Sequence, residues 1–134
     1  MLVFAGFLQP AWTMVRGTTE LGQPFVTGGV GADEIDTLNR EKAQYALAIL
    51  TAAKGSGAFL ADVHIRITDA KSKQVLDSVM DGPWLLVDLP AGRYLVEAVL
   101  NSRVQKSVVT LGAGDHRQTA FYFDVPGEVQ SSSP

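Results

Sequence analysis

Chemistry needs particular side chains at particular spacings, and the first such stretch here is Gly28-Gly29-Val30-Gly31-Ala32-Asp33-Glu34. A glycine-rich loop that runs into a helix gathers backbone N–H groups around a phosphate. This one lacks the Gly-Lys-Ser/Thr ending of a P-loop and has no βαβ unit around it, and Asp33 and Glu34 would repel the anion. The two histidines, His64 and His116, stand alone, without a second His or a carboxylate at close ligand spacing. Asp33, Glu34 and Asp36 lack the alternating oxygen ligands and central Gly of a calcium loop and read as a solvated helix start. No Ser, His and acid grouping stands out either. The residue types thus point to no catalytic group, no cofactor and no metal, and to a chain that is not an enzyme. What they do offer is aromatic surface. Trp84, Tyr94 and Tyr122 are candidate ligand-binding residues, because an aromatic face suits a sugar ring or other flat apolar body.

Those residues must be held by something, and 134 residues are enough for one domain with one core. The net charge is −3, with 11 basic and 14 acidic residues and no Lys/Arg stripe to neutralise a phosphate backbone, so nucleic acid is not an expected partner. The chain has no Cys, which removes disulfides and thiolate chemistry and fits a cytosolic or a periplasmic protein equally. The apolar run Leu2 to Leu8 falls far short of the roughly 20 residues of a membrane-spanning helix. Its length and position suit the apolar centre of a secretory signal peptide, although the positive lead and a clean cleavage site are missing; residues 1–17 are read as a partial signal segment.

Residues 18–31, rich in Thr, Gly and Pro, read as an extended linker, and 18–44 as that linker plus a short helix. Asp33 is the expected cap, accepting the N–H of Asp36, with Ile35 and Leu38 as the apolar edge and an end near Lys42. From Tyr45 the hydrophobic period becomes two. Val63, Ile65 and Ile67 alternate with His64, Arg66 and Thr68; Tyr94, Val96 and Ala98 alternate with Leu95, Glu97 and Val99; Thr119, Phe121 and Phe123 alternate with Gln118, Ala120 and Tyr122. Strands are expected at 45–52, 60–68, 74–79, 84–88, 93–100, 103–111 and 117–124, separated by Gly, Pro, Asn and Ser turns. About seven short strands at this spacing predict an all-β fold, an antiparallel β-sandwich over 45–124, with a short N-terminal helix and extended arm. Residues 125–134 have little to bury and read as a disordered tail.

Gly82, Trp84, Leu86, Leu89, Gly92 and Tyr94 lie in a strand of alternating large residues, a Leu-Pro-x-Gly turn and a strand that opens on Tyr. With "LADVHIRITDAKSKQVLD" upstream, this resembles the carboxypeptidase regulatory-like domain, a prealbumin-type (transthyretin-like) β-sandwich, over roughly residues 45–124. "FVTGGVGADE", "DGPWLL" and "LPAGRY" together resemble small proteobacterial envelope proteins that carry this domain. The prealbumin fold also hosts hydroxyisourate hydrolase, but that family's closing Tyr-Arg-Gly-Ser is absent and this chain ends Ser131-Ser132-Ser133-Pro134. The collagen-adhesin repeat, with its internal isopeptide, is resembled only through Glu97, which a period of two places on the face opposite Tyr94.

The resemblance implies a non-catalytic interaction or accessory module of the bacterial envelope, periplasmic or secreted, with a protein partner and no membrane span; the oligomeric state is not implied. Exposed strand edges would be the means of contact. A small-ligand or carbohydrate binder using Trp84, Tyr94 or Tyr122 is the second reading. A structural subunit pairing through its N-terminal arm is the third.

Overall fold

A computed structural model describes residues 14–60 and 62–124. The signal-like reading of residues 1–17 therefore falls largely outside the described residues, and the tail reading of 125–134 falls wholly outside them. The chain is mostly β. Nine strands are described: β1 (Val15–Thr18), β2 (Pro24–Gly28), β3 (Leu47–Ala53), β4 (His64–Asp69), β5 (Gln74–Val79), β6 (Trp84–Val87), β7 (Gly92–Leu100), β8 (Arg103–Leu111) and β9 (Arg117–Phe123). One helix, α1 (Ala32–Glu41), is followed by a single 3-10 turn, Lys42–Gln44.

The strands form a five-stranded sheet in the order β1-β2-β6-β3-β9 and a four-stranded sheet in the order β5-β4-β7-β8. One apolar core draws on both: Leu47 and Ile49 of β3, Leu85 and Val87 of β6 and Phe121 and Phe123 of β9 meet Ile65 and Ile67 of β4, Val96 and Ala98 of β7 and Val109 of β8. Alternation in the sequence decides which side chains enter it, since a strand turns successive side chains to opposite faces. Tyr94, Val96 and Ala98 are buried, and Glu97 lies on the outer face. There Asp77, Arg66, Glu97 and Lys106 are successive register partners across all four strands, a ladder of alternating charge. Arg66 lies 3.8 Å from Asp77, and Lys106 lies 3.6 Å from Glu97.

Three expectations are corrected. The stretch 18–31 is not a linker. Its Pro24–Gly28 segment is β2, hydrogen-bonded to β1 on one side and β6 on the other. Pro24 opens the strand, where its missing N–H costs no interior ladder bond, and Thr19 Oγ1 accepts the N–H groups of Leu21 and Gln23 to close the β1–β2 turn. The fold is not wholly antiparallel, because β3 and β9 run parallel from Leu47↔Arg117 to Ala53↔Phe123. Their side chains alternate as in any strand, so periodicity carries no trace of strand direction. Finally, Asp33 does not cap α1. Gly31 stands at the N-cap without a side-chain bond, and Glu34, three residues further on, reaches back so that its Oε1 accepts the N–H groups of Gly29 and Val30 at 3.0 and 3.1 Å.

A second, smaller cluster lies on the outer face of the five-stranded sheet. Leu38 of α1 packs with Val26, Tyr45, Ala48 and Leu86, joined by Met14 and Trp84. The far end of the helix is held to β1 by Arg16, whose two terminal nitrogens donate to Glu41 at 3.0 and 2.8 Å. Among the described residues no helix is long and apolar enough to cross a membrane.

Candidate functional site

The three aromatic candidates are not brought together. Trp84 begins β6, half-buried under α1, with the Lys42 Nζ 4.1 Å from its ring centroid, a cation resting on a π face. Tyr94 faces the inner core, and its hydroxyl donates to the Pro90 carbonyl at 2.7 Å. That bond pins the Pro90-Ala91-Gly92 turn to the strand that follows it. Burial raises the Tyr94 phenol above its ordinary value of 10.0, and Asp69 adds to the shift. Tyr122 is 47% exposed on the outer face of β9. It sits beside Ala52, which Phe59 flanks on the other side through an isolated bridge. Trp84 and Tyr94 therefore serve the scaffold, and Tyr122 alone offers a free ring.

The described residues hold no group of three or more His, Asp or Glu that could ligate a metal. The histidines are apart: His64 contacts Asp77 on the outer face of the four-stranded sheet, and the His116 Nδ1 lies 2.9 Å from the Tyr45 carbonyl. Since a carbonyl only accepts, the His116 proton sits on Nδ1.

His116 leads to a feature that the sequence did not disclose. The 3-10 turn delivers the chain into β3, and Arg117 donates its backbone N–H to the Ala46 carbonyl at 2.8 Å where β9 starts beside it. Between the end of α1 and these two strand starts lies a cleft of about 320 Å³, lined by Asn39, Lys42, Ala43, Tyr45, Ala48, His116, Arg117 and Gln118. Burial is the main cause that raises the Tyr45 phenol, with the nearby Glu41 carboxylate second. The residues come from two stretches about seventy positions apart, so no local motif could mark them; only the parallel pairing of β3 with β9 unites them.

A second feature is the side of the molecule where β8 and β9 end their respective sheets. Each has a hydrogen-bonded neighbour on one side only among the described residues. The Gln105 side chain donates to the Tyr122 carbonyl, tying the two edges. Val104 and Val108 of β8 are 53% and 56% exposed. A second link joins the Ser107 and Thr119 hydroxyls, 3.4 Å apart, and the opposite side is bridged likewise, where Glu20 donates its N–H to the Val75 carbonyl and its carboxylate accepts from Gln74.

Comparison with protein-family models, with curated proteins and with solved structures returns no match.

Proposed function

We propose that this chain is a non-catalytic β-sandwich module of prealbumin type that engages a protein partner in the bacterial envelope through the β8 edge. The observation that carries this reading is β8 itself. It is a nine-residue strand with a partner on one side only among the described residues, with two exposed valines on its outer face. Such an edge presents N–H and C=O groups that an extended segment of another protein can pair with, while the alternate side chains supply apolar contact. The resemblance to the carboxypeptidase regulatory-like domain is supported by the turn at Leu89-Pro90-Ala91-Gly92, which joins β6 to a strand with Tyr94 in its first turn of alternation. The envelope location rests on the same resemblance and on the signal-like Leu2–Leu8 run. Against the subunit reading, Val15–Thr18 and Pro24–Gly28 of the segment before Asp33 already pair within the chain's own sheet.

The test is site-specific photo-crosslinking in cells, with the reactive group at position 104 or 108 and, as control, at the exposed Asp36 of α1. The expected outcome is one shared adduct in the periplasmic fraction from both β8 positions, absent from position 36 and abolished by a second-site aspartate on β8. Equal adducts from all three positions, or none, would overturn the reading. A carbohydrate-binding alternative is favoured by one observation, the exposed Tyr122 across Ala52 from Phe59, which is 54% exposed. Glycan binding that disappears in Tyr122→Ala and persists in the β8 variants would select it.

A further inference from the structure

We propose that the cleft between α1 and the starts of β3 and β9 binds a small organic anion, a carboxylate or phosphate group on a compact apolar body. This goes beyond the β8 reading and does not depend on it. The cleft's volume of about 320 Å³ suits a small ligand, at the lower end of the size of binding pockets. Its lining divides into two chemistries. Tyr45, Ala43, Ala48 and the His116 ring give one wall, while Lys42, Arg117, Asn39 and Gln118 give nitrogen donors, and none of the eight lining residues is acidic.

The acids that flank these residues in sequence have partners of their own. Glu41 is held by both terminal nitrogens of Arg16, and Asp115 accepts the Gly112 N–H at 2.8 Å and stands 3.6 Å from the Arg117 Nε. The Asp115 contact with Nε leaves the two terminal nitrogens of the guanidinium, the fork that grips a carboxylate or phosphate in a bidentate manner. Lys42 has no carboxylate partner among the described residues; its ammonium is positioned by the Trp84 ring instead. A cation held on an aromatic face keeps its full charge for a ligand. His116 is fixed by its Nδ1 bond to the Tyr45 carbonyl, so its ring forms a settled wall of the cleft. One cation without a carboxylate partner, Lys42, a second, Arg117, that shares only its Nε with Asp115, and two side-chain amides around an apolar floor describe the complement of a compact organic acid.

The test is a titration of the full chain, followed by its amide NMR spectrum, with three probes of one shape: benzoate, phenyl phosphate and benzyl alcohol. Saturable shifts at Asn39, Lys42, Tyr45, His116 and Arg117 are expected with an anionic probe, and the better of the two identifies the head group. Lys42→Gln and Arg117→Gln each remove one charged donor and should weaken that binding about tenfold or more. The same spectra show that both variants remain folded. Benzyl alcohol binding as tightly as the anions, shifts that never saturate, or undiminished affinity in both variants would each overturn the proposal.

Discussion

Thr27 shows how much one hydroxyl can do at a buried junction. It is almost fully buried, donates to the Trp84 carbonyl at 3.0 Å and accepts the Asp81 N–H at 3.0 Å, so it satisfies both ends of the turn that enters β6. Thr27→Val keeps the shape and strands both backbone groups; a loss of roughly 1–3 kcal/mol is expected in urea unfolding. Two other residues set the alkaline limit. Tyr45 and Tyr94 both have phenols raised above 10.0, chiefly by burial, so above that pH the folded chain binds more protons than the unfolded one. Their contribution is fully present below about pH 10 and is lost as the pH climbs through the raised folded values. Unfolding followed by tyrosinate absorbance should show the transition moving to lower urea over that range, and less so in Tyr94→Phe.

At the scale of elements, α1 is held by two contacts of unequal weight. Its acidic first turn and Arg40 near its end suit the helix dipole, but ten residues do not make a stable helix alone. Leu38 buries its whole side chain against β2, β3 and β6, whereas the Arg16–Glu41 pair lies at the surface. Leu38→Ala should therefore cost roughly 2–5 kcal/mol and Glu41→Gln less than about 1 kcal/mol, a contrast that chemical denaturation of the two variants reads directly. Strand alternation made most elements legible: β5 lies at 74–79 as expected, and β7, β8 and β9 fall within a residue of their expected bounds. The hairpin of β1 and β2 was not legible, because Thr, Gly and Pro signal breaks wherever they occur; the β-branched Val26-Thr27 pair behind Pro24 was the available sign. The cap was misread for a related reason. Both Asp33 and Glu34 stand at the helix start, and only the backbone geometry of Gly29 and Val30 selects Glu34.

For the whole molecule, the candidate sites follow from topology rather than from motifs. The aromatic residues were visible in the sequence, yet their separation was not: Tyr94 points into the core between the sheets, while Trp84 and Tyr122 share the outer face of the five-stranded sheet but stand on β6 and β9 with β3 between them, Trp84 under α1 and Tyr122 open. The cleft was invisible for the same reason that β3 and β9 were not seen to pair. Pairing partners about seventy residues apart must close a long loop before they gain any contact, so refolding should be slow, in the millisecond-to-second range, and limited by this parallel pair. Phe121→Leu, a change in the core face of β9, should therefore slow stopped-flow refolding, and an effect confined to the unfolding rate would show that β9 docks after the barrier.

The parallel pair also fixes an order of events during synthesis. β3 emerges from the ribosome early and lies between β6 and β9 in its sheet, but β9 is nearly the last described segment to appear. Until then β3, apolar on both faces, carries an open flank while everything between it and β9 is still being made. A nascent chain stalled before residue 117 would expose that flank, which makes the unfinished protein a natural client for holding chaperones and its premature release a route to aggregation.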